Sequence, residues 1–216
     1  MQGLIVKVVD MQLKNLFSTL LMTVILIQAS IVSAAESKPI RLATLPIIIA
    51  NGVEISNDTL SEMQVKIARS LHVPLNGTLK KIDYIPSSTS TVALQEIWNK
   101  SYSKNKLSMI SETMKPLAKK INADVIVCTV IYRCNQMTSF SSGSFGESHI
   151  ISNAAVELIY FDNRTGELIS KKFPQSYRGE YMRYGTSDFL ALDCLTKLLD
   201  EVNPREKVLG QRGFFN

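Results

Sequence analysis

Residues 122–134 read NADVIVCTVIYRC, and the fold turns on how this stretch is read. Val125 to Ile131 is a dense apolar run, rich in β-branched residues and too short for a buried helix. It reads as a central strand. Asp124, just before it, turns the chain into the strand by bonding its side chain to nearby backbone. Cys128 and Cys134 lie six residues apart, so in a regular strand they share a face about 20 Å apart. A disulfide needs Cα atoms within about 7 Å, so this pair neither bonds nor shares a metal. Cys128, between Ile126 and Val130, reads as a small core hydrophobe. Cys134 falls near the strand's end, and Cys134 with Cys194 is the one bridge worth considering, since three cysteines cannot all pair.

The flanks of that strand set the architecture. Upstream, KLSMISETMKPLAKKINA (106–123) carries a helical stripe of Leu107, Ile110, Met114, Leu117, Ala118 and Ile121,. Pro116 within it predicts a kink or a second start. Downstream, the Ser/Gly-rich residues 135–149 read as a mobile loop. Residues 150–173 read as two strands about a turn made by Asp162, Asn163 and Gly166,, and SYRGEYMRYG (176–185) extends the second. A helix from Thr186 to Val202 turns Phe189, Leu192, Leu195, Leu199 and Val202 inward,. Asn203-Pro204 ends it, and 205–216 read as a flexible C-terminal tail,.

Toward the N-terminus, IRLATLPIII (40–49) is a strand apolar on both faces, with Pro46 at an end or bulge,. A helix follows with Leu60, Met63, Ile67, Ala68 and Leu71 inward and a capping box at Thr59 and Glu62,. Residues 79–86 form a strand, and 87–100 a helix burying Leu94, Ile97 and Trp98,. The expected fold class is therefore α/β (α+β): a mixed β-sheet of about five strands with helices packed on it, a late β-hairpin and a C-terminal helix. Residues 36–204 make one domain.

Residues 1–35 read as a signal peptide: Lys14, an apolar core from Leu16 to Ile27, then small residues ending at Ala34 or Ala35,. Met11 is a possible true start. The apolar core is short for a membrane span, and an uncleaved N-terminal anchor is the alternative. The chain is thus expected to be exported, periplasmic or extracellular. Its net charge of +5 is scattered rather than gathered into a stripe, which argues against a nucleic-acid partner,.

No residue pattern singles out a catalytic group. The nucleophile elbow, phosphate loop and zinc-protease helix are absent from the sequence,. His72 and His149 have no carboxylate or cysteine at ligand spacing,, so neither a metal nor a cofactor is expected. The candidate binding residues are Tyr177, Arg178, Tyr181, Arg183 and Tyr184, because Tyr and Arg combine large contact area with directed polar groups,. Phe140 and Phe145, in the expected loop, are the others.

Three of these stretches resemble a known group. IRLATLPIII is similar to the opening strand, LAKKINADVIVCTVIY to the helix–Ala-Asp–strand unit, and VELIYFDNRTGELISK to the later hairpin of one α/β domain. That domain is shared by the curli-secretion lipoprotein family, the amino-terminal domain of the Tol-system protein TolB and the lipoprotein activators of penicillin-binding proteins. The resemblance covers about residues 40–202 and implies an envelope-facing binding domain. Two departures matter. No cysteine precedes Cys128, so no lipid anchor is expected; and the stretches around 135–173 leave little room for pore-forming insertions, so no transmembrane pore is expected. The expected function is a non-enzymatic protein-binding or assembly accessory with an envelope or surface protein as partner. An exported hydrolase with a site built from scattered residues, and a small-ligand-binding module, are the alternatives.

Overall fold

A computed structural model describes residues 38–100, 110–140 and 148–210. The signal peptide, Phe145 and the last residues of the tail lie outside them, as does the side chain of Phe140. Pro39 onward forms its own compact unit.

In chain order the strands are β1 (Ile40–Thr44), β2 (Ile48–Ile49), β3 (Ile82–Ile85), β4 (Val125–Phe140), β5 (Ser148–Asp162) and β6 (Glu167–Glu180). The helices are α1 (Asn57–Leu71), α2 (Asn76–Leu79), α3 (Ser87–Lys100), α4 (Ile110–Ile121), α5 (Ser187–Val202) and α6 (Pro204–Leu209), with a 3₁₀ turn at Arg183–Gly185. The mixed sheet runs β3-β1-β4-β5-β6. β1 is parallel to both β3 and β4, and β4–β5–β6 is antiparallel. The parallel pairs follow from helical crossovers, the antiparallel ones from direct hairpins. The sixth strand, β2, arises because the chain resumes an extended course after Pro46 and lays Ile48 and Ile49 beside Val130 and Ile131.

Each face of the sheet has its own core. On one, Met63, Ile67 and Leu71 of α1 and Leu190, Cys194, Leu195 and Leu198 of α5 pack on Val125, Val127, Ile131, Val156, Leu158 and Tyr160. On the other, Leu94 of α3 and Met114, Leu117 and Ala118 of α4 pack on Ile126, Cys128, Val130, Ile159 and Phe161. β4 is covered on both sides at Val125–Ile131, which is why that stretch is apolar at nearly every position. The Asp124 carboxylate accepts the Arg41 N–H at 2.8 Å and so locks the strand's start against β1.

Several expectations are corrected. Residues 135–140 and 148–149 are strand, paired from Asn135↔Asn153 to Phe140↔Ser148. Their polar composition resembles a loop because, among the described residues, no helix covers one face of this part of the sheet. The pairing register shifts between Ile131 and Arg133, leaving Tyr132 as a bulge. One extra residue inverts the alternation. Cys128 therefore lies on the α3/α4 face and Cys134 on the α1/α5 face, not on a shared one. Nor is Cys134 at the strand's end. The cap of α1 is Ser56, whose Oγ accepts from the Thr59 N–H at 3.2 Å; Thr59 instead reaches Asp188 at 3.0 Å. Phe189 is exposed, while Leu190 and Ala191 face the core. Helix α4 continues through Pro116. Residues 204–209, read mostly as tail, form α6, in which Pro204 and Val208 are buried.

Candidate functional site

The part of the fold that stands apart is the far half of β4–β5–β6, beyond the Tyr132 bulge. Here the two faces differ. On the α5 side, Cys134, Gln136 and Thr138 align with Ala154, Ser152 and Ile150. The start of α5 is tied down there: Gln136 Oε1 accepts from the Ser187 N–H at 3.3 Å, and the Cys134 thiol donates to Asp188 at 3.6 Å. The Cys194 thiol donates to Gln175 at 3.6 Å. All three cysteines are free thiols, including the Cys134 and Cys194 considered above for a bridge. Burial pushes Cys134 and Cys194 each up to about 11, and Cys128 higher still.

At the end of this face sits a tyrosine corner. The Tyr177 ring meets Tyr184 edge-on, with centroids 5.7 Å apart, and its hydroxyl donates to the Glu180 carbonyl at 3.0 Å. Gly185 lies against the ring so closely that an added Cβ would come within 2.3 Å of Cε1. The corner returns the chain from β6 into the 3₁₀ turn and α5. Around it Tyr181, Met182, Tyr184 and Phe189 are exposed, between 41% and 62%.

The opposite face has no helix over it among the described residues. Its rows are Arg133–Ala155–Pro174, Asn135–Asn153–Ser176 and Met137–Ile151–Arg178. The outer members, on β4 and β6, are all exposed. Ser176 donates to Asn153 at 2.8 Å across the middle row. Where this face meets the α3/α4 core, Glu157 is buried and accepts from Ser170, while Lys172 stands 3.9 Å over the Tyr132 ring. Burial, then the hydrogen bond to Glu157, raises the Tyr132 phenol well above its ordinary range.

The residues singled out from sequence are thus divided. Tyr177 is a packing residue on the α5 face, Arg178 points to the bare face, and Tyr181, Arg183 and Tyr184 ring the turn between them. Arg133, Met137 and Lys172 were missed. Arg133 and Met137 sat in or beside a stretch read as loop, and alternation in β6 was the one signal that could have placed Lys172. Among the described residues no three His, Cys, Asp or Glu side chains converge as a metal site. A hollow of about 260 Å³ opens at the carboxyl end of β1, between Thr44, Gln64 and Ser87. Among the described residues no helix is long and apolar enough to cross a membrane.

No family model and no curated relative matches the chain. Among solved structures it is similar to the Chlamydia trachomatis protein CT253, at TM-score 0.42 and 17% identity over 80% of this chain and 99% of that one. It is similar also to lipoprotein GNA1162 from Neisseria meningitidis, at TM-score 0.35 and 11% identity over 76% and 98%. The C-terminal domain of LpoB from Salmonella enterica gives TM-score 0.33 and 12% identity over 71% and 92%. At these values the likeness assigns no family and carries nothing about activity or partner.

Proposed function

We propose that this chain is an exported, non-enzymatic domain of the bacterial cell envelope that binds another protein as an assembly accessory, through the far end of its β4–β5–β6 sheet. One observation carries the reading: Met137, Tyr181, Met182, Tyr184 and Phe189 are all substantially exposed there, beside a corner whose geometry is fixed by packing. Rigid aromatic and methionine surface on a pre-organised turn is costly to leave in water and is the composition of binding hot spots. The signal-like residues 11–36 support the compartment,.

The test is a pull-down from native envelope extract with the full chain and with its Tyr181→Ser/Tyr184→Ser variant. A protein retained by the first and lost with the second supports the reading. Capture of nothing above background by the wild type overturns it. A second reading, binding of a small ligand, has one observation in its favour: the hollow at the carboxyl end of β1 lies where open α/β sheets take ligands,. Thermal-shift screening in which no ligand class raises the melting temperature would remove it.

A further inference from the structure

We propose that the bare face of β4–β5–β6 is the docking surface for an extended acidic segment of the partner protein, held by Arg133, Lys172 and Arg178. This rests on the protein-binding reading above and adds the chemistry of the partner. All three cations are exposed on one face, and none of them is in an ion pair among the described residues. On the other side of the same strand, Lys171 is paired with Glu201 of α5. So β6 meets a carboxylate of α5 through Lys171, while on the other face Lys172 rests on the Tyr132 ring and Arg178 pairs with no carboxylate among the described residues. Among the described residues two carboxylates share the bare face: Glu157, buried and bonded to Ser170, and Glu180 at the far end opposite His149. Glu157 lies directly across from Lys172 in the register, yet neither carboxylate forms an ion pair with the three cations among the described residues.

Lys172 and Arg178 are six residues apart on one strand, about 20 Å, and Arg133 lies two strands across, about 10 Å. That footprint matches a peptide running in extended form, with carboxylates at alternate positions. Between the cations lie the Asn135–Asn153–Ser176 row, which can hydrogen-bond a peptide, and Met137, Ile151 and Pro174, which can pack against it. Two other occupants fit less well. A second copy placed face to face would oppose like charges. Strand addition along the β6 edge meets Pro174, which has no N–H, and lysines at 171 and 172, both devices that discourage edge pairing,.

The experiment uses the full chain and a fluorescein-labelled alternating Glu-Ser peptide of about twelve residues, enough to cross the footprint at about 3.3 Å per residue. Fluorescence anisotropy should show binding that weakens about tenfold or more as salt is raised to about 0.3 M. The variant Arg133→Glu/Lys172→Glu/Arg178→Glu should lose at least about tenfold in affinity with an unchanged melting temperature. The charge-matched control Lys66→Glu/Arg69→Glu/Lys115→Glu should keep its affinity. If the reversed variant is less stable, Arg133→Gln/Arg178→Gln replaces it, with a smaller loss expected. No binding of the Glu-Ser peptide, equal binding of a Gln-Ser peptide, or equal loss in the control overturns the proposal. So does binding of phosphatidylglycerol vesicles through the same three cations in place of the peptide, or loss of self-association as the only effect of the reversal. In the envelope pull-down, a partner lost with Tyr181→Ser/Tyr184→Ser but kept by the triple reversal refutes this inference and leaves the broader reading standing. Capture of no partner at all refutes the broader reading.

Discussion

Replacing Asp162 by Asn tests how the β5–β6 hairpin is anchored to the rest of the domain. Asp162 is 3% exposed, and its carboxylate accepts from the Arg164 N–H at 2.9 Å, from Arg164 Nη2 at 2.6 Å and from Nε at 3.0 Å. The same guanidinium donates to the Val208 carbonyl at 3.2 Å, so the clip holds α6 as well. Asparagine keeps an acceptor for the backbone N–H but loses the charge-assisted fork. Hydrogen bonds to charged groups contribute roughly 1.5–3 kcal/mol, and breaking a fully buried pair costs about 3–5 kcal/mol. Arg164 is one-third exposed and recovers water, which brings the expected loss to about 2 kcal/mol. With a urea m-value of about 2 kcal/mol/M, the unfolding midpoint should fall by about 1 M. Burial opposes the charge on Asp162, but the Arg164 side-chain and backbone hydrogen bonds outweigh it and hold the carboxyl below its ordinary value. A depressed native value means the folded state resists protonation. The stability it contributes is complete above about pH 4, and is lost as pH falls through the lowered native value. The gap between wild type and Asp162→Asn should therefore be constant near neutrality and close at the acid end. A midpoint shift below about 0.2 M, or a gap that widens on acidification, would refute the reasoning.

Gly185→Ala should cost about 1–3 kcal/mol, because the Tyr177 ring fills the space its methyl needs,; in a Tyr177→Ala background the same change should cost almost nothing, and thermal melts of the four proteins decide it. Deleting Tyr132 alone removes the bulge and joins the Ile131↔Val156 and Arg133↔Ala155 pairs directly, so amide-exchange protection in 134–140 should persist; deleting Tyr132 and Arg133 together sets Cys134 opposite Ala155 and turns it away from α5, so that protection should be lost, whereas Tyr132→Phe should cost only about 1 kcal/mol,. A double-deletion variant that keeps its protection in 134–140 would contradict the register. Thiol titration in denaturant without reductant should return three thiols, matching three free cysteines. In the native state at pH 8 the reaction should be slowed about a hundredfold or more, since burial keeps each thiol protonated,; fast native labelling would contradict the packing.

What the sequence determined by itself is the element order, the mixed sheet and most of its core. Those are local signals: β-branched runs at Ile40–Ile49 and Val125–Ile131, helical stripes in α1 and α4, and turn chemistry at Asp162–Gly166. The burial of Cys128 was legible for the same reason. The candidate site was legible only in part. Tyr181, Arg183 and Tyr184 do surround an exposed turn, but Tyr177 holds that turn from inside, and Arg178 belongs to another surface. What the tertiary structure alone decided is which face each residue beyond Ile131 presents. That depends on the bulge at Tyr132, and a bulge is a property of β4 paired with β5, residues more than twenty positions away along the chain. With period-two alternation, one unpaired residue inverts every side chain after it. No local pattern in Tyr132 to Phe140 records that inversion, so a strand with one open face read as a loop, and Arg133, Met137 and Lys172 came together only once β4, β5 and β6 were in register.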